Sequence, residues 1–273
     1  MPYNQSMKFL ITLLLLLPVA AVAQDRRPSH CISLVGAPEL QVVPVTFRQP
    51  LDGETVRITY IDHAMFLIQA GDVSAVTDFS GWIGNVDFWP DAVTMNNAHS
   101  SHWTGVPDPA IPNVLEGWAN DDGPRDHHLD LGDMLIRNVH TDTRGFNEVR
   151  RNGNSIFVFE AAGLCIGHLG HLHHMPTPEQ MAALGRLDVV MAAVDGGLTV
   201  DHETLVALLA RLRSSVVIPM HWFGRSTLEQ FIAEMPPGFA VDRSGSNTIE
   251  ISLRTLPDVP TVLVLEPQFL SDE

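Results

Sequence analysis

The chain has 273 residues, with 32 Asp and Glu against 16 Lys and Arg, a formal net charge of −16, and 13 histidines. An acidic balance of that size repels phosphate backbones and excludes nucleic acid as the expected partner. The length suits one large domain or two small ones, and one is the simpler reading.

The N-terminus reads MPYNQSMKFLITLLLLLPVAAVAQ, in which Lys8 precedes an apolar run from Phe9 to Ala20 and the small residues Ala21-Val22-Ala23 stand before Gln24. This is the pattern of a secretory signal peptide over residues 1–23, because the run falls short of the roughly 20 apolar residues that span a bilayer and small residues follow it. The expected product is periplasmic or secreted, with no stable membrane anchor. A Pro-rich leader over 24–50 then precedes a domain over 51–273. The two cysteines are Cys31 in the leader and Cys165 in the apolar run GLCIGH. Export permits a disulfide between them, but Cys165 reads more simply as a small buried hydrophobe in a strand, so pairing is not favoured.

The segments VRITY, AMFLIQ and SAVTD are short runs of β-branched and aromatic residues punctuated by Asp62, Gly71 and Asp72, as consecutive strands would be. Asp91 to Met95 is a further strand. DMLIRNV and SIFVFEAAGLCIGH supply three more around the turn Ala161-Ala162-Gly163. The stretch from about His102 to Asp130 is too long and too rich in Pro, Gly, Asn and Asp for a simple connection, and such loops are often functional. Helical spacing then begins in TPEQMAALGRL, capped by Thr177 with Gln180 three residues on, followed by strand DVVMAAV, helix DHETLVALLARLR, strand SVVIP and helix STLEQFIAEM. Helices alternating with buried strands imply layered α/β packing.

The histidines fall in groups that directly follow expected strands: His99 and His102 after Met95, His168, His171, His173 and His174 in GHLGHLHH, and His221 in IPMHW. Strand ends at one sheet edge converge, and imidazoles brought together there suit zinc or another transition metal. His30, His127, His128, His140 and His202 lack that placement and read as surface residues.

The order TYIDHAMFLIQAGDVSAVTDF, then a His-rich loop after PDAVTM, then FVFEAAGLCIGHLG, then VVIPMHW, resembles the metallo-β-lactamase-fold hydrolases, nearest the ascorbate-6-phosphate lactonase-like branch, over about Val56 to Trp222. The resemblance implies an αββα sandwich, a metal centre at one edge between its halves, and hydrolysis of a small-molecule substrate by a metal-bound water. It also shows departures. In the family loop His-x-His-x-Asp-His, Asn97 stands at the first His, His99 at the second, Ser101 at the Asp and His102 at the last. His168 matches the next ligand, His171 stands at the bridging Asp, and His221 matches the final His. Two dications roughly 3.5–4 Å apart need a bridging anion, and both motif carboxylates are replaced by neutral groups. One ion is therefore expected rather than two, zinc before manganese, iron or copper. His102, His171 and His221 are its expected holders and the catalytic set, while His99 and His168, with Asn97 as a weak donor, form a lesser half-site.

Asp78 matches the family Asp after the third strand, where a ligand-orienting role is implied. His63 could line the site or pack. Ser101 cannot replace the lost general base at neutral pH. Asp195, in AVDGG, could supply a carboxylate, although a turn-forming Asp before two glycines is the better reading. Asp142 and Arg144 are read on a loop over the site, and His173 and His174 at the rim. The expected function is an exported hydrolase of a small ester, lactone or phosphoester. The alternative is a periplasmic metal- or ligand-binding protein that kept the fold and lost the chemistry.

Overall fold

The computed structural model describes residues 27, 29–31, 47–145 and 148–272. The expected signal segment 1–23 lies outside the described residues, as does most of the leader. Two sheets face one another. The smaller has six strands in the order β14-β1-β2-β3-β5-β6: Thr248–Ile251, Val56–Asp62, Met65–Ala70, Val73–Val76, Ala92–Met95 and Asn113–Glu116. The larger has eight, in the order β13-β15-β12-β11-β10-β9-β8-β7: Ala240–Arg243, Thr261–Val264, Val216–Met220, Val189–Ala193, Leu164–His168, Val149–Ala161, Met134–Arg144 and His128–Asp130. A short pair joins β4 (Gly84–Asn85) to β16 (Leu270–Ser271). The helices are α1 (Pro178–Leu184), α2 (His202–Leu212) and α3 (Arg225–Glu234).

Alternation along the strands sorts the core into layers. In β9 to β12, Phe157, Phe159, Leu164, Ile166, Val189, Met191, Val216 and Ile218 face the smaller sheet and meet Ile58, Phe66 and Ile68. The intervening Ile156, Val158, Cys165, Val190 and Val217 face outward, where Leu184, Leu205, Leu208, Leu228 and Phe231 of the three helices cover them. The outer face of the smaller sheet packs against loop residues such as Phe79, Ile83 and Ile111 and against Leu270 of β16. The sandwich is therefore as expected, with the described helices all on one side.

Helix α1 begins as its capping box dictates: Gln180 N–H donates to Thr177 Oγ1 at 3.2 Å, and the Thr177 N–H donates to Gln180 Oε1 at 2.8 Å. It ends three residues short of the expected Leu187, at Gly185, whose φ of 71° breaks the helix. The expected long loop from His102 to Asp130 carries β6 and β7. Asp142 and Arg144 lie in β8 rather than on a loop.

The cysteine reading is corrected. Cys31 and Cys165 form a disulfide, with Cα atoms 5.8 Å apart. Parity explains it: Cys165 points to the outer face of β10, where the segment around Cys31 runs, and both residues are buried. The surface reading of His202 is also corrected. It is buried at the start of α2, 3.0 Å from both Glu234 Oε2 and the Val194 carbonyl. His30, His127, His128 and His140 are partly buried, each bonded or paired to a neighbour, including His127 Nε2 to the Glu116 carbonyl at 2.7 Å.

Candidate metal centre

Strands β3 and β5 run parallel in one sheet, and β10, β11 and β12 run parallel in the other. The residues that follow them supply the site: Asp78 after β3, Asn96 to His102 after β5, His171 after β10, Asp195 after β11 and His221 after β12. Carboxyl ends of parallel strands are where open sheets gather ligands. The turn between β1 and β2 adds His63. Three of these residues hold positive φ without being glycine: His63 at 46°, Asp78 at 42° and His221 at 61°. Such strained backbone persists where the surroundings over-determine it. Here the His63 carbonyl accepts the Tyr60 hydroxyl at 2.7 Å and the His221 N–H at 2.8 Å.

His102 is fully buried, and its Nδ1 lies 2.6 Å from Asp78 Oδ2. His221 Nδ1 lies 3.0 Å from Asp195 Oδ2. Each carboxylate is itself anchored. Asp78 Oδ1 accepts the Asn96 N–H at 2.8 Å, and Asp195 Oδ1 accepts the N–H groups of Gly197, Leu198 and Thr199. Protons on Nδ1 leave both Nε2 atoms as lone-pair donors, and they face one another at 3.1 Å. His171 Nδ1 lies 3.2 Å from His102 Nε2, but His171 is not in the group of three nitrogens that gathers here, in which His63 takes the place expected of it. The His63 ring centroid lies 3.9 Å from that of His221, and His63, His102 and His221 offer nitrogens within 4.8 Å of one another.

Burial keeps His63, His102 and His171 neutral at physiological pH. Burial lowers the His102 and His63 pKa values to about 3, with each ring's proximity to His221 adding to the effect, and lowers that of His171 to about 2, with His102 adding to it. Burial pushes Asp78 up to about 6. At Asp195 burial acts upward, but bonds from His221, Thr199 and Gly197 hold the carboxyl well below its usual range. Imidazole nitrogens gathered at one point, two of the rings with a carboxylate behind them, fit a zinc-type cation. A second His/Cys group, His30 with Cys31 and Cys165, has its sulfurs in the disulfide.

The expected half-site does not assemble. In β10, Leu164 and Ile166 face the sandwich interior, and the same parity turns His168 inward. Its Nε2 donates to the Ala64 carbonyl at 2.7 Å, while Nδ1 lies 3.1 Å from Asn96 Nδ2 and accepts the Gly170 N–H at 3.2 Å, so neither nitrogen is available to an ion. His99 lines the cavity, with Nδ1 3.1 Å from Ser101 Oγ. Asn97 is buried at the end of β5, its carbonyl accepting the His99 N–H. Asp195 is both the expected turn former and the partner of His221. His173, expected at the rim, is half-buried against His171, and its Nδ1 accepts the Arg144 N–H at 2.6 Å; His174 is exposed. Asn96, which ties Asp78 to His168, went unread because its backbone N–H and amide do the work and its residue type gives no signal.

The site opens to a cavity of about 680 Å³ whose wall includes His63, His99, Ser101, His171 and His221. Residues 57–221 match the family model described as "Beta-lactamase superfamily domain", and the chain belongs to that family. At superfamily level this places it among metal-dependent hydrolases. Among solved structures it is similar to a Thermotoga maritima protein assigned to the metallo-beta-lactamase superfamily as a Zn-dependent hydrolase, at 24% identity over 78% of this chain and 100% of that one, with a TM-score of 0.57. It is also similar to the metallo-beta-lactamase fold protein YhfI from Bacillus subtilis, at 10% identity over 79% of this chain and 98% of that one, with a TM-score of 0.51. No curated protein matches the chain.

Proposed function

We propose that the protein is an exported hydrolase of a small ester, lactone or phosphoester that works with one zinc ion. His102 and His221 would hold the ion, with His171 and His63 completing the donor set. The observation that carries this reading is the 3.1 Å approach of two Nε2 atoms, the His102 ring bonded from behind by Asp78 and the His221 ring with Asp195 3.0 Å behind it. When bound, such an ion supplies Lewis acidity and lowers the pKa of water toward 7.

The chain's own groups do the rest. Asp78 and Asp195 fix the tautomers that present Nε2 to the site. His99 stands in the cavity wall, oriented through Nδ1 by Ser101, and its imidazole is placed to take up and return a proton in place of the missing motif carboxylate. Neutral residues at Ser101 and His171 leave no bridging anion for a second ion, which supports one equivalent per chain. Export is supported by the signal-like N-terminus together with the Cys31–Cys165 disulfide, a bond that persists in oxidising compartments.

The test is elemental analysis of the mature protein after dialysis, with turnover measured on lactones, aryl esters and phosphodiesters. One equivalent of zinc with turnover on any of these supports the proposal. Retained zinc without turnover selects the metal-binding reading, which the lost Ser101 and His171 carboxylates favour. Failure to retain any ion overturns both.

A further inference from the structure

The cavity that opens onto the histidines differs in character from the site itself. Its lining carries no arginine or lysine among the described residues, and its one lining carboxylate is Asp62. The sequence holds a single lysine, Lys8, so apart from a bound metal ion and the imidazoles, a basic side chain meeting an anionic substrate must be an arginine. Arg144, near the site, does not line this cavity, and its Nη2 donates to the carbonyls of Gly197, Leu198 and Thr199. A phosphomonoester or phosphodiester brings at least one negative charge, and the side-chain donors that commonly clasp such a group, Arg and Lys, are absent from this wall.

Beside its histidines and serines the wall offers an apolar patch. Phe223 is 67% exposed and Leu198 61% exposed, both lining the cavity, with buried Met65 beside them. Neither projects by accident of a loose loop. The Phe223 ring centroid lies 5.4 Å from that of His221 and 5.5 Å from that of His63, so the ring stands beside the metal-binding group. Leu198 sits in a loop fastened from both sides: Asp195 Oδ1 accepts three of its N–H groups, and Arg144 donates to three of its carbonyls. Large apolar side chains held out into a cleft mark a place where an apolar group is meant to be covered.

We propose that the site takes an uncharged ester or lactone whose apolar acyl portion lies on Phe223 and Leu198, and that it rejects phosphoesters. This rests on the hydrolytic reading of the histidine centre and narrows it. The reaction is acyl hydrolysis: the oxygen of water bonds to the acyl carbon, the acyl carbon–oxygen bond to the leaving group breaks, and one proton from water ends on the departing oxygen, giving an acid and an alcohol, or a hydroxy acid from a lactone.

The experiment uses the zinc-loaded mature chain with p-nitrophenyl acetate, p-nitrophenyl octanoate and bis-p-nitrophenyl phosphate. The expected kcat/KM for the octanoate is at least roughly tenfold above that for the acetate, by burial of the added methylenes, with the phosphodiester below both. Phe223→Ser should lower the octanoate value about tenfold through KM, and more than it lowers the acetate value. Binding of octanohydroxamate, acetohydroxamate and octylphosphonate by calorimetry provides a readout independent of turnover. Octanohydroxamate should bind tightest, and Phe223→Ser should close its gap to acetohydroxamate. If hydroxamate affinity rises with chain length but no ester is hydrolysed, the hydrolytic reading falls and the apolar subsite stands. A preference for the phosphodiester or the phosphonate, or no dependence on chain length, overturns the proposal.

Discussion

His102 Nε2 and His221 Nε2 face one another at 3.1 Å, and each ring's other nitrogen lies beside a carboxylate with a fully buried side chain, Asp78 at 2.6 Å and Asp195 at 3.0 Å. Burial and the neighbouring imidazoles hold the His102 pKa down at about 3. With the ring protons on the Nδ1 atoms, a bound cation turns the contact from repulsive to favourable. Removing the carboxylate behind a ligand loosens tautomer and orientation, at a typical cost of about 10–100-fold in metal affinity. Asp78→Asn and Asp195→Asn should each weaken zinc retention by that order in a competition with a chromophoric chelator. Unchanged retention in both variants would mean the carboxylates serve the fold alone.

The same geometry separates two histidines that sequence position alone would treat alike. His102→Gln removes a converging lone pair and should abolish retention of the single equivalent. His168→Gln touches neither Nε2 of the facing pair. It breaks bonds to the Ala64 carbonyl and the Gly170 N–H in a fully buried setting, so the expected cost is about 1–3 kcal/mol of stability with zinc stoichiometry intact. Thermal unfolding alongside elemental analysis distinguishes the two. Loss of zinc in His168→Gln at unchanged stability would restore His168 to the ligand set.

Why one histidine was legible and the other was not is a matter of period. The strand pattern through FVFEAAGLCIGH located β9 and β10, and their alternation of two carries inward-facing Leu164 and Ile166 on to His168. A motif match places a residue in the chain order of a site, whereas parity decides which side of the sheet it enters. His102 and His171 follow their strands by loop residues, and His221, directly after Met220, leaves the alternation through its φ of 61°, so all three escape that parity. Asp195 offered a turn signal and a ligand-orienting signal that competed in the sequence; the folded chain uses one oxygen mainly for each. The strands beyond Met235 carried little signal, since Ala240–Arg243 is an edge strand exposed at all four residues and so shows no apolar alternation.

Glu160 gives a pH dependence whose sign follows from its partners. Burial alone would raise its carboxyl, but Ser29 Oγ at 2.5 Å, Arg137 Nε at 2.7 Å and the His30 N–H at 3.0 Å hold its pKa below the ordinary glutamate value. A depressed folded-state pKa contributes stability that is fully present above the unfolded value of about 4.3 and is lost as pH falls through the folded value. Glu160→Gln leaves Arg137 without its buried partner, at a cost of about 3 kcal/mol near pH 7. Arg137 keeps the carbonyls of Ala183 and Leu184, which limits the loss. Denaturant melts of the two proteins should therefore differ most at neutral pH and draw together below about pH 4. A gap that widens on acidification would show that Glu160 is not ionised in the folded chain.

The disulfide acts on the same segment from the other side. Cys31 and Cys165 are separated by 134 residues in sequence, so the bond closes a long loop in the unfolded chain. A loop of that size corresponds to roughly 4–5 kcal/mol in the chain-entropy account, of which about 2–4 kcal/mol is typical in practice. In the folded chain the Cys31 carbonyl also accepts the Arg186 N–H at 2.8 Å, and Ser29 and His30 bond to Glu160, so the segment is tied down by more than the sulfurs. Cys31→Ser should accordingly lower stability by about 2–4 kcal/mol without releasing the described segment from the sheet. Combining it with Glu160→Gln should cost more than the sum of the two, because either tie alone keeps the segment on the sheet and losing both releases it. Thiol titration of the denatured, unreduced mature protein checks the premise: no free thiol is expected, and two would remove the disulfide from the account. Strict additivity in the double variant would show that the two ties hold the segment independently.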